Sequence, residues 1–279
     1  MGQYLTDAWA IYYSLNLKSI LALLLTVLGI WLFRKKVWST LLPASPPAIF
    51  YRWVTYVGIA AMYGWFFIWK LTSALLTTVW WCVFRLGGCY ELVYSDDTLS
   101  RLAGMGVGPT EELGKVIAGL IFFTYLTKRL GACGRSMFVV AFAVAGLGFG
   151  VGENISYFSE LSIRHRPLGS YLYRVLVNVP FHTSTTIIAA AMLWKLWEPS
   201  HDPRSFTKHL LHGGVEPKKQ ILWAIIPSAL LHGGYNVLLV NSILPLIVAA
   251  VALIWAVRII KQQQQQVQQQ VAPSVAIPA

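Results

Sequence analysis

Long apolar runs recur through this chain, each near the roughly 20 residues that a helix needs to cross a bilayer. That length points to one fold class: all-α, a polytopic bundle of transmembrane helices. The composition agrees, because a chain 56% hydrophobic and only 12% charged could not cover a soluble surface with polar groups. Spans are expected at about 13–33, 53–84, 107–127, 137–158, 171–197, 221–239 and 243–257. The second run is longer than one crossing needs and holds Lys70 in its middle.

Charge asymmetry decides how to count that run. Taken as one crossing plus an interfacial piece, it leaves Arg34-Lys35-Lys36, Lys128-Arg129, Arg204, Lys218-Lys219 and Arg258 on a single face. The opposite face then carries the acids Glu91, Asp96, Asp97 and Glu160 beside fewer cations. Since cytoplasmic loops collect Lys and Arg, about seven crossings are favoured over eight, with the N-terminus outside and the C-terminus cytoplasmic. An integral multi-pass protein of the cell membrane is expected, with the lipid bilayer as its medium. The net charge of +11 has the same origin: its basic residues lie in short loops, and no nucleic-acid partner is expected.

The organisation read from these runs is residues 1–106 as N-terminal transmembrane segments, 107–258 as a helical core, and 259–279 as a Gln-rich disordered tail. No cleavable signal peptide and no separate soluble domain are expected. Cys82, Cys89 and Cys133 form no CxxC pair and read as free thiols at a membrane surface, with a Cys82–Cys89 disulfide as the alternative should that segment face an oxidising compartment. The basic loop 199–220, with His201, His209 and His212, reads as solvated. The sequence sets no oligomeric state.

Polar fragments interrupt four successive apolar helices: Glu111-Glu112-Leu113-Gly114-Lys115, Phe149-Gly150-Val151-Gly152-Glu153-Asn154, Phe181-His182-Thr183 and His232-Gly233-Gly234-Tyr235-Asn236. An ionisable side chain in hydrocarbon costs at least a few kcal/mol, so each is a functional-site hypothesis. The first has a plain alternative, since Pro109 and acids in a first turn suit any helix start. Adjacent residues on a helix point about 100° apart, so at most one of Glu111 and Glu112 is expected to face the site squarely. Lys115 is in reach of either acid. Glu153 follows overlapping GxxxG patterns at Gly146, Gly148, Gly150 and Gly152, which let a neighbouring helix come close. His182 comes just after Pro180, which frees a backbone carbonyl and can kink the helix. His232 and Asn236 are one turn apart on one face, with Gly233 and Gly234 leaving room beside them.

Depth ties the fragments together. At about 1.5 Å per residue from one common surface, Glu111 lies ~5 Å deep, Glu153 ~8 Å, His232 ~10 Å and His182 ~16 Å. On the favoured topology that surface is the non-cytoplasmic one. Unrelated polar residues would scatter over both leaflets; these converge. Carboxylates, imidazoles and an amide within reach of water suit hydrolysis, with a Glu as general base and His and Asn as oxyanion donors. Glu and His also ligate zinc, but no HExxH occurs in the chain. A transporter or scaffold with a polar binding site is the non-catalytic alternative, and no inverted repeat of the transporter kind is visible.

The ordered motifs resemble those of the PrsW family, glutamic-type intramembrane proteases related to the CAAX prenyl proteases. The matching residues are EExxK at Glu111, Glu112 and Lys115, FxxxE at Phe149 and Glu153, the lone helical His182, and HxxxN at His232 and Asn236. The CAAX branch has FxxxH at the second motif, so Glu153 places the chain on the PrsW side. The resemblance implies hydrolysis of peptide bonds in membrane-tethered proteins, without a cofactor or metal. It assigns water activation to Glu111, its support to Glu112, an essential role to His182, and oxyanion stabilisation to His232 and Asn236.

Overall fold

The computed structural model describes residues 17–41, 107–130, 134–163, 165–197, 216–238 and 243–271. The 53–84 run, the cysteines and the histidines of the 199–220 loop lie outside the described residues, as does the count of crossings that depends on them. What is described is helical throughout, with no strand among the described residues. The elements are α1 (Leu17–Leu41), α2 (Val107–Leu130), α3 (Arg135–Ile163), α4 (Leu168–Tyr173), a π turn (Arg174–Asn178), α5 (Val179–Trp197), α6 (Glu216–Leu238) and α7 (Leu244–Val271). From α4 through α5 the backbone is one continuous rod.

Among the described residues three stretches are long and apolar enough to cross a membrane: Arg135–Ile155, Leu168–Lys195 and Leu244–Gln265. α2 and α6 fall outside that group, and both carry charged groups at their ends and polar side chains within. The second long stretch contains α5, the hub of the bundle, which packs on α3, α6 and α7. Both α3 and α5 are apolar on nearly all sides, as helices enclosed by others must be.

Away from the polar fragments the core is aromatic. Phe138 lies 4.6 Å from Phe142, 5.2 Å from Trp194 and, edge-on, 4.9 Å from Phe123 between ring centroids. Such pairs contribute about 0.5–1.5 kcal/mol each beyond area burial and fix how α2, α3 and α5 are rotated against one another.

The glycine pattern on α3 does what its spacing predicts. A Cβ at Gly146 would sit 2.5 Å from Thr186 Oγ1 and 2.7 Å from the His182 carbonyl oxygen, and one at Gly150 would meet the Val179 Cα at 3.2 Å. These contacts press α3 against α5 beside His182. Gly146→Ala should force the two helices apart and lower stability by about 1–3 kcal/mol. Thermal unfolding in detergent measures it, and an unchanged midpoint would rule out this close approach.

α7 corrects one expectation. The Gln-rich run was expected to be disordered from residue 259, yet the helix continues through Val271. Glutamine is a good helix former, so a run that leaves a transmembrane helix can extend it without apolar support. Gln263 is buried, and with its amide oriented to match its partner it accepts from Arg135 Nε at 2.8 Å. That bond joins the start of α3 to the end of α7.

Candidate active site

The four polar fragments meet at one end of the bundle. α2 supplies Glu111, Glu112 and Lys115 near its start, while α3 supplies Glu153 from its later half. α5 gives His182 in its first turn, and α6 gives His232 near its end. All six side chains are buried. Because α2 begins at Val107, the two acids fall after its first turn, and Glu112 is wholly enclosed. The plain helix-start reading, which needs solvated acids in the first turn, fails there.

Glu112 is the most heavily engaged carboxylate. Its Oε1 accepts from Lys115 Nζ, lies 3.0 Å from the Thr185 hydroxyl and 2.7 Å from His232 Nδ1. The other nitrogen of that imidazole, Nε2, faces Glu111 Oε2 at 3.6 Å. The expectation that one acid alone would face the site is therefore corrected: the two reach opposite edges of a single histidine. They manage it because His232 lies across the direction that separates them. Gly108 makes room, since a Cβ there would stand 2.7 Å from the Gly233 nitrogen on α6.

His182 is held just as closely. Its Nε2 lies 2.6 Å from Glu153 Oε2, and its Nδ1 lies 3.0 Å from Lys115 Nζ. Carboxylates accept only, so the partners put a proton on His182 Nε2 and on His232 Nδ1, which leaves His182 Nδ1 to accept from the ammonium. Lys115 thereby joins the two halves of the cluster, and Thr185 Oγ1 takes a further bond from it at 3.3 Å. Phe149, one turn before Glu153, packs 5.7 Å from the His182 ring and 5.4 Å from Lys115 Nζ. The Phe and the Glu of FxxxE thus touch the same imidazole. Phe181 stacks on Tyr235 at 4.3 Å and stands edge-on to His232 at 5.5 Å.

Asn236 is the sequence-chosen residue that the network does not include. It lies one turn beyond His232, half-buried, with no side-chain hydrogen bond to the described residues. Three participants were not chosen. Asn178 Nδ2 donates to Glu153 Oε2 at 2.8 Å, Arg174 lies 3.4 Å from Glu153 Oε1, and Thr185 touches Glu112. Asn178 was legible: it interrupts the same apolar run as His182 and precedes it by four residues, the spacing that shares a helix face.

The sequence model described as PrsW family intramembrane metalloprotease matches residues 53–260. The chain belongs to the PrsW family. It is therefore a membrane protein of a protease family, as its motif order implied. No curated protein and no solved structure matches it.

The family's description names a metal, and the cluster offers a test of it. Glu111, His182 and His232 each present a ligand atom, all within 4.8 Å of one another. Two histidines and a glutamate form a known zinc set, but each ligand nitrogen must offer a lone pair to the ion. His182 can offer one only from Nδ1, since Nε2 is turned to Glu153, and the Lys115 ammonium occupies that lone pair. A cation bound there would also confront Lys115 directly. With Lys115 in that place the arrangement does not fit a metal.

Proposed function

We propose that this PrsW-family protein is a glutamic-type intramembrane peptidase that hydrolyses peptide bonds of membrane-anchored proteins. The observation that carries this reading is the single imidazole of His232 set between two carboxylates, in a cluster whose other histidine has both nitrogens occupied. That is an acid–base network.

Glu111 is the base. It takes a proton from water as the water oxygen bonds to the scissile carbonyl carbon, and later returns a proton to the leaving amine as the C–N bond breaks. Glu112, tied by Lys115 and Thr185, orients His232 rather than reacting. A proton taken up at His232 Nε2 during the reaction makes it a donor beside Glu111. Asn236, one turn on, supplies the second donor for the oxyanion. His182, between Glu153 and Lys115, keeps the two halves of the cluster in register.

The chain crosses the membrane about seven times on this reading, with the site in the non-cytoplasmic half. The full-length protein in lipid vesicles, incubated with membrane proteins that accumulate uncleaved in its absence, should cleave equally with and without 1,10-phenanthroline. Loss of cleavage with the chelator, restored by added zinc, would overturn the glutamic mechanism and leave a metal-dependent peptidase.

A further inference from the structure

The rod from α4 to α5 departs from regular geometry at a single place, the π turn Arg174–Asn178. Its cause is close by. Pro180 has no N–H to give to the carbonyl four residues before it, so the ladder loosens in the preceding turn. The Val179 N–H bonds five residues back, to the Arg174 carbonyl oxygen. A π turn inserts one residue into the helix, so the faces of α4 and α5 are offset by roughly 100° relative to an uninterrupted helix.

Two amides use that offset. Asn154, the residue after Glu153 on α3, donates from Nδ2 to the Arg174 carbonyl oxygen at 3.0 Å. Asn178, at the far end of the turn, donates back to Glu153 Oε2 at 2.8 Å, and its Nδ2 is 3.5 Å from Asn154 Oδ1. Both asparagines are buried. The same Oε2 faces His182 Nε2 at 2.6 Å. The first residue of the turn contributes as well: the Arg174 guanidinium lies 3.4 Å from the centre of the Tyr157 ring and 3.4 Å from Glu153 Oε1. Both oxygens of Glu153 are thus addressed from one π turn.

We infer that Asn178 is a positioning residue: presented by the π turn that Asn154 clasps, it fixes the Glu153 carboxylate so that His182 keeps one tautomer, with Nδ1 turned to Lys115. Its meaning for catalysis rests on the glutamic-peptidase reading; its effect on His182 does not. Two partners hold the tautomer, Lys115 donating to Nδ1 and Glu153 accepting at Nε2, and a Glu153 that swings away removes one of the two. An apolar residue at position 178 would fill the space and leave Glu153 Oε2 without its amide donor, held only through Arg174 on the other oxygen and His182 itself.

The test uses the full-length protein with nitrogen-15 histidine in lipid nanodiscs, the His182 signals being those lost in His182→Gln. In the unmodified protein they should report one tautomer, protonated at Nε2. Asn178→Leu should shift both His182 nitrogens toward a mixture of tautomers and leave the His232 signals in place. Asn154→Ala, which loosens the turn from the other side, should shift His182 in the same direction. Asn178→Ser, which keeps a donor, should lie between. Unmoved His182 signals in Asn178→Leu, or in Asn154→Ala where Asn178→Leu does not fold, would reduce Asn178 to packing and overturn the inference. Absence of proteolysis by the unmodified protein, with the His182 shift intact, would instead reject the peptidase reading alone.

Discussion

Replacing Glu111 with glutamine should reduce peptide-bond cleavage by ~10²–10⁴-fold, the usual contribution of a positioned general base, while the protein still inserts and folds. The amide keeps the size and shape of the side chain but cannot accept a proton from water. Glu111 meets His232 at 3.6 Å, beyond hydrogen-bonding distance, so the exchange breaks no hydrogen bond to that ring. Glu112 differs on this point, since its Oε1 serves Lys115, Thr185 and His232 together. Glu112→Gln should therefore lower the thermal midpoint as well as activity, whereas Glu111→Gln lowers activity alone. Single-turnover cleavage measured beside thermal unfolding separates the two carboxylates. Undiminished cleavage by Glu111→Gln would remove it from the role of base.

Much of this site was readable because membranes penalise polar side chains. Glu153, His182 and His232 stood out against apolar runs for that reason alone, and the structure brings them together. Counting depth put the fragments at a common level, and they do meet. It could not find the contacts, because helix ends are not surfaces: α3 runs on to Ile163 and the α4–α5 rod starts at Leu168, well beyond the fragments they carry. Spacing offered Lys115 to Glu111 or to Glu112, and only packing chose Glu112. Pro180 marked where the fifth run would be irregular, yet not that the irregularity would be a π turn clasped from another helix, where Asn154 joins the Val179 N–H on the Arg174 carbonyl. The helical Gln-rich run was misread because a stretch without apolar periodicity can still form helix when a stable helix precedes it.

The largest effect on the fold should come from Lys115→Met. The ammonium has three donors and uses them on Glu112 Oε1, on His182 Nδ1 at 3.0 Å and on Thr185 Oγ1 at 3.3 Å. Neither Lys115 nor Glu112 has any exposed side-chain surface. Removing one member of such a pair strands the other charge away from water, at a cost of about 3–5 kcal/mol. Methionine fills much the same volume, so the loss reports the charge rather than a cavity. The paired variant Lys115→Met with Glu112→Met separates these effects. Two apolar side chains of similar volume leave no stranded carboxylate, and replacing a buried ion pair in this way is often close to neutral. The double variant should thus unfold at a higher temperature than Lys115→Met alone, although it has lost a charge more. It should also be inactive, because His232 has lost the carboxylate that orients it and His182 the donor on its Nδ1. Thermal midpoints of the two single variants and the double, taken in one detergent, give the coupling between Lys115 and Glu112 directly. Simple additivity of the two single losses would mean that the pair is not the link between the halves of the cluster.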